Sequence, residues 1–338
     1  MNKKLIALAV AGATCAPLAM AQTANPVTLY GRVYLTLESV KASGGAAPAP
    51  QRLRVQDNAS LLGVRMTEDL GGGLKAFAQL ETGFAPDAPQ TSFATRNSGI
   101  GLQGGFGTVM MGRWDMPFKV ATIAIDPFGD LTIGGITSGA NDFGNFDRRD
   151  PNVVQYWSPN MSGFTVRLAY QANEGKTSSL NPYNQGASLQ YSKGPLYAFY
   201  AYENHKDVSA TLRKEEGNSV GGSYVIGPVK VGALYQEFKK TGLTKKKTMM
   251  GNAVYTTGKH QFIYQYTNTE DGAASNAAQP DCDVNALGYQ YNFTRRTFSL
   301  VQYTKVKNNA TSACRAGSFV SGNDSDPEGF AVGLRHVF

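Results

Sequence analysis

The stretch "VTLYGRVYLTLES" (residues 27–39) alternates apolar and polar side chains along its whole length. One face carries Val27, Leu29, Gly31, Val33, Leu35 and Leu37, and the other carries Thr28, Tyr30, Arg32, Tyr34, Thr36 and Glu38. Strands of soluble proteins average about five or six residues, whereas a tilted strand that crosses a bilayer needs roughly 9–11. The stretch therefore favours a membrane-spanning strand over its alternative, a long edge strand of a soluble β-sandwich.

The same alternation recurs along the chain, for example in "LKAFAQLETGF" (74–84), "GFTVRLAYQAN" (163–173) and "HQFIYQYTNTE" (260–270). Seven short turns and eight long connections alternate between such segments. This order predicts an all-β fold, a transmembrane antiparallel up-and-down β-barrel of about 16 strands, with short periplasmic turns and long external loops. A barrel of that size encloses water. The long connections are expected near 39–59, 85–95, 114–150, 173–185, 204–217, 239–247, 271–283 and 307–328.

The N-terminus, "MNKKLIALAVAGATCAPLAMAQT", has the features of an export signal. Two lysines precede an apolar run, and a small-residue "AMA" motif follows, so residues 1–21 are interpreted as a cleaved signal peptide and 22–338 as one barrel. Removing Lys3 and Lys4 lowers the formal net charge from +7 to +5. No basic stripe repeats along the exported chain, so nucleic-acid binding is not predicted.

The chain ends with "EGFAVGLRHVF" (328–338), an alternating strand whose last residue is aromatic. A closed barrel pairs its last strand with its first, so one face of this strand must meet lipid. That face carries Phe330, Val332, Leu334, His336 and Phe338.

This ending is similar to the C-terminal assembly signal of outer-membrane proteins. From end to end the chain resembles the general bacterial porins, in particular those of beta-proteobacteria. The resemblance is carried by "VTLYGRVYLTLE", "GVRMTEDLGGGLKAFAQLETGF", "GLQGGFGTVMMGR", "YWSPNMSGF" and "GLRHVF". It implies a passive homotrimeric channel of the Gram-negative outer membrane, in contact with lipid including lipopolysaccharide and with the assembly machinery. One departure is Leu61 in "SLLGVR", where family members often carry arginine.

The third long connection, from Trp114 to about Asp150 and here called loop 3, is by far the longest. Its centre, "DPFGDLTIGG" (126–135), resembles the constriction motif that porins fold into the pore. The resemblance implies that Asp126 and Asp130 place negative charge at the narrowest point, with Pro127, Phe128 and Gly129 shaping the loop. The alternative is a mobile external loop.

Basic residues within the strands are the candidates for an opposing wall. A charged side chain facing lipid costs about 2–4 kcal/mol near the midplane, so mid-strand arginines are expected to face the lumen. A basic wall opposite an acidic loop creates a field across the pore and favours anions. Some of these residues could instead lie at either mouth of the channel. The expected wall residues are Arg32, Arg65, Arg96, Arg113 and Arg167, with Lys75 as a further candidate.

Two cysteines remain after signal cleavage. Cys282 falls in the seventh long connection and Cys314 in the eighth, and these loops flank the same hairpin. In an oxidising compartment such a pair favours a disulfide over two free thiols.

The predicted function is passive diffusion of small hydrophilic solutes and ions, with a mild preference for anions. Two alternatives stay open: a channel specific for an organic acid or phosphate, and a barrel enzyme such as a lipase or protease. The enzyme is disfavoured because His205, His260 and His336 are scattered and form neither a triad nor a metal-binding spacing. No metal and no cofactor are expected.

Overall fold

The computed structural model describes residues 27–45, 48–88, 93–129, 131–136, 146–207, 214–242, 245–271, 282–309, 314–320, 322 and 324–338. The predicted signal peptide lies outside them and stays a prediction. The described chain forms one antiparallel sheet and a short helix. The elements are β1 (Val27–Ser43), β2 (Ala49–Asp57), β3 (Leu61–Gly71), β4 (Leu74–Gly83), β5 (Ser98–Gly104), β6 (Gly107–Asp115), α1 (Pro117–Ile123), β7 (Arg149–Trp157), β8 (Phe164–Gln171), β9 (Tyr183–Lys193), β10 (Leu196–Lys206), β11 (Lys214–Ile226), β12 (Val229–Lys240), β13 (Lys246–Thr257), β14 (His260–Asp271), β15 (Cys282–Asn292), β16 (Thr297–Asn308) and β17 (Asp326–Val337).

The sheet closes into a barrel because β1 pairs with β17 from Arg32 to Ser43. On its other edge β1 pairs with β3 through its first residues and with β2 further along. β2 and β3 are therefore two parts of one strand, interrupted at residues 58–60, where Ala59 has a φ of 62°. Counted this way, the seventeen segments make sixteen barrel strands, as the sequence predicts.

The two faces of the strands separate as the alternation requires. Leu29 and Leu37 on β1 face outward and are 62% and 49% exposed. Thr36 and Glu38, which flank Leu37, face inward and are buried. On β17 the outward residues Phe330, Val332, Leu334, His336 and Phe338 are all exposed, and Ala331 is buried. Because lipid replaces water around the outer band, the outside of the barrel is apolar and the lumen is polar.

The last residue takes part in barrel closure through its backbone. Phe338 donates from its N–H to the carbonyl of Gly31 at 3.0 Å, and its own carbonyl accepts from Gly31 N–H at 3.1 Å. Phe338 is thus part of the β1–β17 seam.

The first long connection is shorter than the sequence analysis predicted. Residues 39–59 were expected to be a loop, but β1 continues to Ser43 and β2 begins at Ala49. Val40 and Ala42 face inward and are buried, while the polar residues that alternate with them, Ser39, Lys41 and Ser43, face outward. The alternation simply continues beyond the apolar band, where the outward side chains are hydrophilic. Among the described residues, no helix is long and apolar enough to cross a bilayer.

Candidate pore constriction

The described parts of loop 3, residues 116–129, 131–136 and 146–148, fold into the barrel and pack against its inner wall. Phe118 on α1 is fully buried, and its ring centroid lies 5.5 Å from that of Phe146 and 6.1 Å from that of Phe238. Each buried apolar side chain of this size contributes roughly 1.5–3 kcal/mol. We call this cluster the loop 3 anchor. It comprises Phe118, Ala121, Ile125, Ile136 and Phe146 from the loop and Phe199, Ala201, Leu234, Phe238 and Met250 from the wall.

Polar side chains of the wall also donate hydrogen bonds to loop 3, three of them to its backbone carbonyls and one to the hydroxyl of Thr132. They come from β10, β13, β14 and β16, so the loop follows the inner surface across these strands. Each satisfies a loop oxygen that burial would otherwise leave unpaired. The bonds are Tyr197 Oη to Ala121 O at 3.0 Å, Asn252 Nδ2 to Ile125 O at 3.1 Å, Gln265 Nε2 to Gly134 O at 3.1 Å and Gln302 Nε2 to Thr132 Oγ1 at 3.4 Å.

The centre of loop 3 is shaped by Asp126. Its Oδ1 accepts a hydrogen bond from Phe128 N–H at 3.0 Å, and its Oδ2 accepts one from Ile136 N–H at 2.7 Å. The carboxylate therefore ties the two ends of the hairpin together, a role the motif alone does not reveal. Pro127 leads into the turn, and Gly129 completes it with a φ of 72°, which few other residues adopt. Asp130 lies outside the described residues.

Phe128 seats this hairpin on the barrel wall. Its side chain is buried with Val254, Ile263 and Ala286. At Gly288 a Cβ atom would lie 2.4 Å from Phe128 Cε1, so glycine is required there for the ring to reach the wall. Phe128 thus packs against a specific position of β15, Gly288.

Arginines line the wall on the strands that begin the chain. Arg32, Arg65 and Arg167 alternate with outward residues and face the lumen. Arg32 Nε donates to Ala59 O at 2.8 Å, and Arg65 donates from Nε and Nη2 to Gln79 Oε1 at 3.0 and 2.7 Å. Arg167 stacks on the ring of Trp157, 5.1 Å from its centroid. Lys75 pairs in register with Asp69 and is exposed next to the short turn at 72–73.

Arg96 and Glu81 form the best-defined ion pair of the wall. Arg96 Nε lies 2.8 Å from Glu81 Oε1, and the Tyr30 hydroxyl donates to Glu81 Oε2 at 3.0 Å. The guanidinium of Arg65 in turn lies 5.3 Å from the centroid of the Tyr30 ring. Tyr30, Arg65 and Glu81 from three strands and Arg96 from a loop therefore form one connected polar group on the lumen side.

Arg113 is the fifth predicted wall arginine and lies near the end of β6. On β6 it has the same parity as Val109 and Met111, which are 41% and 57% exposed on the outer face. Its partner in register is Ser98, and its Nε donates to the carbonyl of Thr95 at 3.0 Å. The neighbouring Trp114 is the residue that is buried on the inner side. Asp115, two residues further along, lies at the buried root of loop 3, and Gly112 has a φ of 147°, so the alternation is interrupted here. The place of Arg113 in the basic wall therefore stays a prediction.

Comparison with known proteins agrees with this architecture. The family model described as Gram-negative porin matches residues 7–311. The chain belongs to this family. It is accordingly a multi-pass β-barrel of the Gram-negative outer membrane, and its relatives are porins rather than enzymes.

Named relatives extend over the whole porin chain. Outer membrane porin protein 32 of Delftia acidovorans is 31% identical over 360 residues, covering all of both chains. Major outer membrane protein P.IB of Neisseria gonorrhoeae is 26% identical, also over the full length of both. Among solved structures, an anion-selective porin from Comamonas acidovorans superposes with a TM-score of 0.80 at 26% identity, covering 93% of this chain and 100% of the other.

The porin also carries lumen charges that the sequence analysis did not single out. Arg54 Nη2 lies 2.8 Å from Glu38 Oε2 on the inner side of β1 and β2. At the root of loop 3, Asp115 is 2.9 Å from Arg149 and 3.5 Å from Lys119. The alternation of β1 predicts that Glu38 faces the lumen, but the sequence places Arg54 in a predicted loop. The pair of Asp115 and Arg149 joins residues that are distant in sequence.

Buried His205 is not part of a metal site or triad in the described structure. Its ring nitrogens lie 2.7 Å from Glu203 Oε1 and 3.1 Å from Glu215 Oε2, and it stacks on Phe146 with centroids 4.7 Å apart. No group of metal-binding side chains occurs among the residues described. His205 therefore supports the wall beneath the loop 3 anchor.

Cys282 and Cys314 form the predicted disulfide. Residues 314–320 of the eighth loop pack inside the rim, where Ala316 and Phe319 join a buried cluster with Ile133 of loop 3. The bridge closes a loop with a sequence separation of 32, for which chain-entropy arguments give about 3–4 kcal/mol. It ties the eighth loop to the start of β15, beside its apolar contact with loop 3.

We expect reduction to release the eighth loop without opening the barrel. Dithiothreitol treatment, or the double substitution Cys282→Ser and Cys314→Ser, should make the chain susceptible to trypsin after Arg315, while the strand ladder stays protected. Limited proteolysis with mass spectrometry measures this, with the oxidised protein as control. Equal resistance of the oxidised and reduced proteins would show that packing alone holds the loop.

Proposed function

We propose that this porin forms a water-filled diffusion pore whose constriction lies between the hairpin of loop 3 and the arginines of the opposite wall, and that it prefers anions. The observation that carries this proposal is the set of lumen-facing guanidinium groups on the early strands. The proposed wall comprises Arg32, Arg65, Arg96, Arg113 and Arg167, and Asp126 belongs to the proposed acidic side. Asp130 is included from the motif alone.

Several features support anion preference over a neutral size filter. Both carboxylate oxygens of Asp126 accept hydrogen bonds from backbone N–H groups, which reduces the ability of Asp126 to bind a passing cation. Two of the wall acids, Glu38 and Glu81, are paired with arginines. The similar Comamonas acidovorans protein is described as anion-selective.

We further infer a homotrimer in contact with outer-membrane lipid, including lipopolysaccharide, and delivered by the assembly machinery. Membership of the family supports these partners, and so does the outward apolar face of the terminal strand. Small hydrophilic solutes and inorganic anions are the proposed cargo.

Single-channel recording in a planar bilayer under a tenfold KCl gradient tests the proposal. We expect ohmic, non-saturating steps that come in threes, with a reversal potential on the chloride side. Because field strength across the pore depends on unscreened charge, the preference should weaken as salt rises. A reversal potential at zero or on the potassium side would contradict the proposed anion preference. Small currents that one solute blocks would favour the solute-specific channel.

A further inference from the structure

Between the hairpin of loop 3 and the barrel seam lies a recess of about 280 Å³. Four of its lining residues lie near the strand ends that meet at the short turns, which places the recess toward that side of the barrel: Gln261, Gln290, Phe298 and Arg335. The lining includes one carboxylate, that of Asp126, whose two oxygens already accept hydrogen bonds from the backbone N–H groups of Phe128 and Ile136. The other lining residues are Arg32, Tyr34, Asn58, Pro127, Phe128, Gly129, Gln261, Gln290, Phe298, Leu300 and Arg335.

Two donors at this recess have no partner among the described residues. The hydroxyl of Tyr34 is buried and makes no hydrogen bond, although the side chain is only 5% exposed. Nε of Arg335 is likewise buried and without an acceptor. A buried donor without an acceptor costs about 1–3 kcal/mol, so such pairs mark places where a ligand or ordered water completes the site.

The two donors are held by fixed neighbours. Tyr34 and Arg335 face each other in the β1–β17 register. Phe298 lies against both: its ring is edge-on to Tyr34 at 5.7 Å, and the Arg335 guanidinium sits 5.3 Å from its centroid. These contacts orient the phenol and the guanidinium before any solute arrives.

The remaining lining is partly apolar. Pro127, Phe128, Phe298 and Leu300 supply carbon surface beside the donors. An inorganic anion gains little from such surface, whereas the hydrocarbon part of an organic acid is desolvated by it. The unpartnered groups are a hydroxyl and a guanidinium N–H, which both suit a carboxylate oxygen.

We propose that this recess is a binding site for small organic carboxylates, with Tyr34 Oη and Arg335 Nε as donors to the carboxylate and Phe298 beside its hydrocarbon part. The site rests on the proposed pore function and lies apart from the Arg96–Glu81 pair. A carboxylate that crosses the constriction would pause here before reaching the turn side of the channel. The proposed pore thus acquires a substrate class in addition to a charge preference.

Block of chloride current by propionate tests the site. In wild-type channels held in KCl, propionate added on the turn side should reduce the current along a saturating curve, and propionamide should not. Tyr34→Phe removes only the hydroxyl, and we expect the half-blocking concentration to rise about tenfold, as for loss of one hydrogen bond to a charged group. Arg335→Gln should raise it at least as much.

Arg296→Gln is the matched control, because Arg296 is exposed in the neighbouring turn and its backbone bond to Val337 does not need the side chain. Its half-blocking concentration should equal that of wild type. Heat-modifiable mobility on gels confirms folding of each variant. A current that falls in proportion to propionate without saturating, while the reversal potential stays on the chloride side, would overturn the recess and leave the proposed function intact. Saturable block that neither substitution weakens would also overturn it.

Discussion

Replacing Arg96 by glutamine should move the reversal potential of the channel toward potassium. The substitution removes one positive charge and also uncovers Glu81, whose Oε1 accepts from Arg96 Nε at 2.8 Å. The Tyr30 hydroxyl still donates to Glu81 Oε2, so the carboxylate stays in place on the lumen side. Two unit charges about 4 Å apart interact by about 1 kcal/mol in water, so we expect roughly a fivefold fall in the chloride-to-potassium permeability ratio.

Two companion variants make this result interpretable. Glu81→Gln should move the reversal potential the opposite way, because it leaves Arg96 without its counter-charge. Arg295→Gln removes the same charge as Arg96→Gln, but Arg295 is exposed in the short turn before β16, and its loss should leave selectivity unchanged. An equal shift in the Arg295 and Arg96 variants would mean that long-range charge, rather than position in the lumen, sets the preference.

The barrel could be predicted because each strand's two faces are set by the local alternation of its side chains. A residue of β1 faces lipid or lumen according to its parity, and "VTLYGRVYLTLES" assigned each side chain to the face on which the structure places it. The error at 39–59 has the same origin. Once a strand rises beyond the apolar band, Ser39, Lys41 and Ser43 face water on the outside, and the sequence contrast that marks a strand disappears.

The charged wall was only partly predictable, because parity gives the side of a strand but not its partners. Arg54 lies opposite Glu38 and Arg149 contacts Asp115, and these pairs depend on register and on the path of loop 3. For Arg113 even the side was ambiguous, since the β6–β7 register shifts between Gly112 and Trp114. The motif located Asp126, but its bonds to Phe128 and Ile136 follow from a fold that the motif does not encode.

The second large effect is expected from Phe118→Ala, which removes the central ring of the loop 3 anchor. Truncating a fully buried phenylalanine typically costs about 3–5 kcal/mol, and Phe118 is fully buried between Phe146 and Phe238. That energy holds a loop to a wall, whereas the strands keep their hydrogen-bonded ladder. We therefore expect loop 3 to detach in part while the barrel stays folded, giving larger and noisier currents and faster entry of a trisaccharide in liposome-swelling assays.

Phe93→Ala is the matched control, because Phe93 lies in another long connection and is 73% exposed. It should leave conductance and sugar entry unchanged. Loss of the heat-modifiable folded band in Phe118→Ala would mean that the anchor stabilises the barrel itself. Unchanged sugar entry in a folded variant would contradict the claim that the anchor holds loop 3 to the wall. The hydrogen bonds from Tyr197, Asn252 and Gln265 would then suffice to hold the loop. The two outcomes separate apolar packing from backbone pinning as the force that sets the size of the pore.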